Sequence, residues 1–345
     1  MAAATPSLWH YLLDPAVAMD ASALAQLRPT IGRLARLTSP AEASWLLPAQ
    51  DAIAPDEILR DRLRTRYLRA EARRWLTQIA AAGIDVLPLK GFATGLAFYP
   101  DPELRGLGDV DLLARPADAA RLAAFLRREG FVFRPSAGTP FWGHSGEASF
   151  HPCVAPDGQL AFDLHIAPDE PPLPRSIDVV ATFAGARHIR EAGQMLAIPR
   201  DSHLLLMAAS HAARDKYDQN AVRSVLDIVA LRRRPDWPSA LEEAMRLAQA
   251  GGNLRLLRLT AQLLIGLGAA AEEFPAVLAR PYRGLAGAEM RRMVAQFADL
   301  FAVTPSKLAL QQREWLLTGG PRIAARRALR RARGMIRPWS GLPPA

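Results

Sequence analysis

The first long regularity in the chain is an amphipathic run that starts at Ala54-Pro55-Asp56 and continues to about Ala82. Leu59, Leu63, Tyr67, Leu68, Ala72, Trp75, Leu76 and Ile79 recur at spacings of three to five with arginines between them. That periodicity predicts one long helix with those residues inward, ended by Gly83. Ile84 to Leu89 is a short apolar run of β type, and Gly91 opens a second helical stretch through Tyr99, broken by Pro100 and Pro102. Asp109 to Ala114 reads as a strand. Pro116 to Glu129 reads as a helix with Ala120, Leu122, Ala123 and Leu126 inward, capped by Gly130. Phe131-Val132-Phe133 opens another strand. A hairpin follows, from Ala148–His151 through a turn at Pro156-Asp157-Gly158 to an alternating strand over 159–166.

Pro168 to Pro174 is a proline-rich connector, and beyond residue 200 the pattern is helical, with helices near 202–214, 220–233, 238–250 and 253–270. The first fifty residues alternate short apolar patches with Pro and Ala and predict small packed helices. No internal repeat is present. The order of elements predicts an α+β fold, a small mixed β-sheet flanked by helices with a C-terminal helical domain. The expected division is an N-terminal helical segment over 1–55, a sheet domain over 56–180, and a helical domain with a basic tail over 181–345.

Composition narrows the class. The 345 residues are 50% hydrophobic and 22% charged, enough apolar content for a substantial core, which excludes disorder across the whole chain. The longest apolar stretch, Leu259 to Ala271, is interrupted by Gln262, Gly266 and Gly268 and is too short for a membrane span, so it reads as a buried helix. Met1 to Pro6 carries no basic residue and leads into no continuous apolar region, so a cytoplasmic location is expected. The single cysteine, Cys153, forbids an internal disulfide and a multi-cysteine zinc site, and reads as a small packed residue. Net charge is +9, yet only Lys90, Lys216 and Lys307 are lysines. Arg322, Arg326, Arg327, Arg330, Arg331, Arg333 and Arg337 follow the last acidic residue, Glu314. This basic tail suits RNA, acidic lipid or an acidic partner, or simply a solvated face in an arginine-rich chain.

The chemistry concentrates in the middle. Asp109 and Asp111 are two apart in a strand pattern, so both carboxylates point to one face with Val110 and Leu112 on the other. Such a pair repels itself unless a hard cation such as Mg²⁺ shares it. Asp163, in Ala161-Phe162-Asp163-Leu164-His165, lies on another alternating strand with His165 on its own face. If the two strands are neighbours, three carboxylates converge, as two-metal phosphoryl transfer requires. Lys90 and Gly91 sit where a strand ends and a helix begins, a place where backbone N–H groups and a point charge can hold a polyphosphate. No Walker A loop is present.

Leu89-Lys90-Gly91, then Arg105-x-x-x-Asp109-x-Asp111-Leu112-Leu113, then Asp163-x-His165 resembles the DNA polymerase β-like nucleotidyltransferase superfamily. The branch it resembles is a bacterial one with a Leu-Lys-Gly motif and an Asp-Leu-His strand, and the likeness extends to His211 and Leu226-Asp227-Ile228. It covers roughly residues 60 to 230. The resemblance implies a nucleotidyltransferase core with two Mg²⁺ ions held by Asp109, Asp111 and Asp163, and an NTP donor whose nucleoside monophosphate passes to an acceptor as pyrophosphate leaves. It implies that Asp163 helps deprotonate the acceptor hydroxyl, that Lys90 and Gly91 cradle the triphosphate, and that Arg105 stabilises developing charge. The superfamily's usual Gly-Ser pair is replaced here by Lys-Gly.

Further residues can serve the site or only the fold. His165 can meet a metal or substrate, or hydrogen-bond within the sheet; His151 can face the same site, and His144 reads as loop. His203 and His211 are two helical turns apart, too far for one metal, so His211 reads as a pocket or packing residue. Asp227 lies in an apolar context and needs a partner, for which Lys216, Arg223 and His211 are the candidates. Two other functions fit parts of the sequence: a glycosyltransferase using Asp-x-Asp, disfavoured by the lack of an extended βαβ series, and a non-catalytic scaffold that binds RNA or an acidic partner through the tail.

Overall fold

The computed structural model describes residues 7–47, 52–133, 152–168 and 177–319. Three short helices come first: α1 (Leu8–Leu13), α2 (Ala21–Leu37) and α3 (Pro40–Leu46). The long helix α4 (Pro55–Ala81) follows, then β1 (Val86–Pro88) and α5 (Lys90–Phe98). The sheet is completed by β2 (Val110–Ala114), helix α6 (Ala119–Arg128), β3 (Val132–Phe133), β4 (Cys153–Val154) and β5 (Ala161–His165). After α7 (Val179–Ala184) a separate hairpin forms from β6 (Arg187–Glu191) and β7 (Gln194–Ile198). The rest is helical: α8 (Asp201–Arg214), α9 (Val222–Arg232), α10 (Trp237–Ala250), α11 (Leu254–Leu267), α12 (Ala276–Ala279), α13 (Gly284–Ala298) and α14 (Lys307–Arg313). The fold is α+β.

The five-stranded sheet runs β1-β2-β5-β4-β3. Its central pair, β2 and β5, is parallel, and every other pairing is antiparallel. All five residues of β2 are buried, as expected of a strand covered on both faces. Beneath it Trp75 meets Phe131 edge-on with centroids 4.8 Å apart, and Phe131 stacks on Phe162 at 5.5 Å. Leu68, Ala72, Trp75, Leu76 and Ile79 of α4 close this core, joined by Leu122, Phe125 and Leu126 of α6.

Two inward assignments fail. Leu59, Leu63 and Tyr67 are 57%, 51% and 45% exposed, because only the C-terminal half of α4 lies on the sheet. Arg69 is buried in their place, its guanidinium 2.7 Å from Glu191, bonded to the Phe92 carbonyl and stacked over the Phe92 ring at 4.3 Å. Ala120 of α6 is exposed while Ala119 is buried. The β6–β7 hairpin was not expected from the sequence; its turn places Ala192 and Gly193 at φ 47° and 85°, a pair of left-handed residues that suits a tight hairpin turn. Among the described residues no helix is long and apolar enough to cross a membrane.

The N-terminal helices share one hydrophobic core with α8 to α13. The Trp9 indole N–H donates to the Phe297 carbonyl at 2.6 Å, and Arg232 at the end of α9 and Arg233 just after it donate to the carbonyls of Leu13 and Leu12. The chain's start is thus sealed against its helical half. Trp9→Ala is expected to cost about 3–5 kcal/mol in urea denaturation. A loss below about 1 kcal/mol, the level of an exposed site, would show that the segment is not part of that core.

Candidate active site

Backbone pairing builds the site. In the parallel β2–β5 register Asp111 stands opposite Asp163 and Leu113 opposite His165, so period-two alternation puts Asp111, Asp163 and His165 on one face. On the other side of β2, β1 pairs Pro88 with Leu112, and the Leu89 N–H donates to the Asp111 carbonyl at 2.8 Å. That bond delivers Lys90, the first residue of α5, to the edge of the carboxylates. Lys90 reaches its place with φ at 43°, a left-handed conformation that a non-glycine residue holds only when its surroundings compensate.

The Lys90 ammonium lies 2.5 Å from Asp111 Oδ1, and His165 Nε2 lies 2.8 Å from the same oxygen and 3.6 Å from Asp163 Oδ2. One ligand atom each from Asp111, Asp163 and His165 falls within 4.8 Å of the others. Burial alone would raise the Asp111 carboxyl, but Lys90 and His165 outweigh it and hold the group ionised well below the usual carboxylate range. Lys90 is likewise pulled down by burial and restored by Asp111, ending above its ordinary value. Burial and Lys90 lower the His165 imidazole, while the hydrogen bonds to Asp111 and Asp163 more than offset them and raise it. Asp163 Oδ1 and His165 Nδ1 are buried with no hydrogen-bond partner among the described residues.

Asp109 precedes β2 rather than lying within it, at an exposed position on the rim of the same cleft. Its carboxyl is raised by desolvation and then by the neighbouring Asp111 charge. Gly91 lines the cleft beside Lys90; a Cβ there would come within 3.3 Å of the Leu107 side chain and 3.4 Å of the Arg105 guanidinium, a tight fit that those side chains would have to shift to admit. Cys153 is fully buried on β4, and burial pushes its thiol up to about 12, as suits a packed residue rather than a nucleophile.

The partner of Asp227 is none of the three candidates drawn from the sequence. It is Arg105, whose Nε donates to Asp227 Oδ1 at 2.7 Å and whose Nη2 donates to Oδ2 at 3.0 Å. Arg105 Nη1 also donates to the Gly106 carbonyl at 2.9 Å. These bonds engage three of its five N–H groups, leaving two for anything in the cleft. Tyr99 contacts Asp227 Oδ1 at 3.1 Å and Glu42 Oε1 at 2.7 Å, joining α5 and α3 to the pair. Glu42 is raised, chiefly by burial.

The far wall comes from α8 and α9. A cleft of about 230 Å³ opens between Lys90, Asp109, Asp111 and Asp163 on one side and Leu204, Met207, His211, Arg214, Arg223 and Ser224 on the other. His211 Nδ1 lies 2.9 Å from Ser224 Oγ, and its Nε2 meets the Arg214 guanidinium. A guanidinium only donates, so Nε2 is the acceptor and Nδ1 carries the proton. Burial, and then Arg214, hold the imidazole well below its ordinary value. His203, two turns back, is buried and does not line the cleft. Sequence reasoning missed Arg214, Asn220 and Ser224 as cleft residues and weighed Arg223 only as a partner for Asp227; a helix-facing pattern with no motif gave no signal for them. His144, His151, the 148–151 strand and the arginines from Arg322 onward lie outside the described residues.

A small mixed sheet with paired carboxylates at adjacent strands, a lysine at the next helix start and a helical wall opposite is an arrangement of the nucleotidyltransferase type. The model of a family described as uncharacterised nucleotidyltransferases matches residues 56–265, more than half of the chain, and the chain belongs to that family. The match runs past β5 through α8, α9 and α10 and into α11, so the helical wall is part of what the family shares. No curated protein and no solved structure matches the chain.

Two outcomes are expected, one of the cleft and one of the buried histidine behind it. Asp227→Ala strands the buried Arg105 cation and should cost about 3–5 kcal/mol in urea denaturation. Burial pushes His203 down to about 4, so the folded chain resists a proton that the unfolded chain takes up near 6.5. Stability is therefore full above pH 6.5 and is lost as pH falls toward 4, with His203 contributing up to ~1.4 kcal/mol per pH unit. Denaturation between pH 7 and 5 should show a shallower loss in His203→Gln; an unchanged slope would refute the assignment.

Proposed function

We propose that the protein is a divalent-metal-dependent nucleotidyltransferase that moves a nucleoside monophosphate from an NTP to a hydroxyl-bearing small-molecule, peptide or protein acceptor, releasing pyrophosphate. The observation that carries this reading is the direct pairing of Asp111 with Asp163 across β2 and β5, beside Lys90 in one cleft. The donor set fits a divalent cation: the carboxylates are hard oxygen ligands, and Asp163 Oδ1 is buried without a hydrogen-bond partner among the described residues. Asp111 and Asp163, with Asp109 on the rim, would hold the ion, and Mg²⁺ suits an all-oxygen set. When bound, such an ion supplies electrostatic stabilisation to the transferred phosphoryl group.

The chain's own residues do the rest. The Lys90 ammonium and the Gly91 backbone, at the start of α5, bind the triphosphate and fix its direction. Asp163, 25% exposed at the cleft edge, orients the acceptor hydroxyl and draws its proton as the oxygen attacks the α-phosphorus. The bond to the β-phosphate oxygen breaks and pyrophosphate departs. Leu204, Met207 and Ala208 line the α8 wall and exclude water from the reacting atoms. Arg105, held by Asp227, keeps two N–H groups for charge developing on the phosphates.

Calorimetry with each of the four NTPs, with and without Mg²⁺, tests the donor site. Metal-dependent binding of at least one NTP is expected, and Asp109→Asn/Asp111→Asn should abolish it. With an acceptor in hand, transfer of α-labelled nucleotide should fall by about two orders of magnitude or more in Asp111→Asn. A folded wild type that binds no NTP would overturn the reading.

A further inference from the structure

The three groups that converge most closely are not the three aspartates. Asp109 stands on the rim, whereas His165 shares the floor with Asp111 and Asp163. We propose that His165 is itself a metal ligand through Nε2, so that the position between Asp111 and Asp163 is a two-carboxylate, one-imidazole site selective for a first-row transition ion of the Mn²⁺ class over Mg²⁺. The proposal rests on the divalent-cation reading above and goes beyond it in ligand and in ion.

The distances support a shared centre. Nε2 lies 2.8 Å from Asp111 Oδ1 and 3.6 Å from Asp163 Oδ2, facing both carboxylates at once. Neighbouring ligands of a six-coordinate ion with bonds near 2.1 Å stand roughly 3 Å apart, so these separations are close to those of adjacent ligands on one ion. A single N–H can serve only one of the two oxygens well, while a cation at their meeting point serves all three groups. His165 is 1% exposed on a strand, so its ring is already fixed. Toward the ionised Asp111 its Nε2 stands as a hydrogen-bond donor, and a cation would take the place of that proton. Nδ1, without a partner among the described residues, is the nitrogen that can carry the proton instead. Lys90 does not exclude the ion, because a carboxylate offers about four lone-pair sites and the ammonium takes one.

The chemistry of the set decides the ion. Mg²⁺ holds to oxygen ligands and keeps its waters, whereas imidazole favours the first-row transition ions. Mn²⁺ accepts both carboxylate and imidazole. The oxygen-only position beside Asp109 remains the Mg²⁺ position, so the two places in the cleft differ in preference.

The test uses the full chain and MnCl₂ without nucleotide. Electron paramagnetic resonance gives the Mn²⁺ affinity, and electron spin echo modulation reports nitrogen bonded to the ion. Expected are ¹⁴N modulation in the wild type, its conversion to the ¹⁵N pattern on labelling histidine with ¹⁵N, and its loss in His165→Gln. Mn²⁺ affinity should drop about tenfold or more in that variant with little change for Mg²⁺. The labelling needs no substitution, so it stands even if the buried variant fails to fold. Mn²⁺ binding without nitrogen modulation, or modulation that persists in folded His165→Gln, overturns the proposal and leaves the oxygen site standing. Failure of Mn²⁺ and Mg²⁺ alike to bind a folded wild type overturns this proposal together with the metal-dependent reading.

Discussion

The geometry of the cleft depends on one buried guanidinium. Arg105 is 6% exposed in the loop that leads into β2, and a cation there must find acceptors or the loop cannot pack. Both oxygens of Asp227 and the Gly106 carbonyl supply them, so the loop before β2 is fixed to α9. Tyr99 extends the tie to the end of α5, and Glu42 extends it to α3. Gly106 allows this, since a Cβ there would fall 2.7 Å from the Ser39 side chain. Burial raises the Glu42 carboxyl against the pull of Arg105, and its second oxygen has no hydrogen-bond partner among the described residues. The two walls of the cleft are therefore held to each other by this buried network.

At the other end of the cleft the problem is reversed, because the buried group is an anion. Burial alone would raise the Asp111 carboxyl; Lys90 and His165 outweigh it and keep the group charged. The cost appears in the backbone, where Lys90 adopts φ of 43°, a conformation of about 1–3 kcal/mol strain for a side chain with a Cβ. Strain held by an ion pair at the junction of β1 and α5 puts a charged carboxylate, a lysine and a helix start within one small volume. Under the proposed function that juxtaposition would serve a cation and a polyphosphate side by side.

Much of this was legible in the sequence, for identifiable reasons. Period-two alternation placed Asp163 and His165 on one face, and the strand character of both segments made their pairing the natural arrangement; the observed register sets Asp111 against Asp163. The helices from α8 to α11 followed from 3.6-residue periodicity. What failed was long-range. Arg105 and Asp227 are 122 residues apart, and three nearer basic or imidazole residues offered plausible partners. The N-terminal half of α4 carries an apolar stripe that periodicity assigns inward, yet the sheet covers only the other half, where Arg69 is buried through Glu191 from an unforeseen hairpin. Local pattern fixes which way a side chain points on its own element and says nothing of how far the neighbouring element extends.

The same limit explains the grouping on the floor of the cleft. Sequence spacing treats Asp109 and Asp111 as equals, since both occupy odd positions of one alternating run. In the fold they differ: β2 begins at Val110, so Asp109 leaves the sheet for the rim while Asp111 is drawn beneath it. His165 takes the third inner place because it is one strand period deeper than Asp163 and level with Leu113. The small sheet by itself presents these groups on one face. Enclosure comes from α8 and α9, which lie within the family's matched span and bring His211, Arg214, Arg223 and Ser224 across from the carboxylates. The sheet thus carries the acidic groups and the helices the basic and apolar ones opposite them, so under the proposed function acceptor specificity is to be sought on α8 and α9 rather than on the strands.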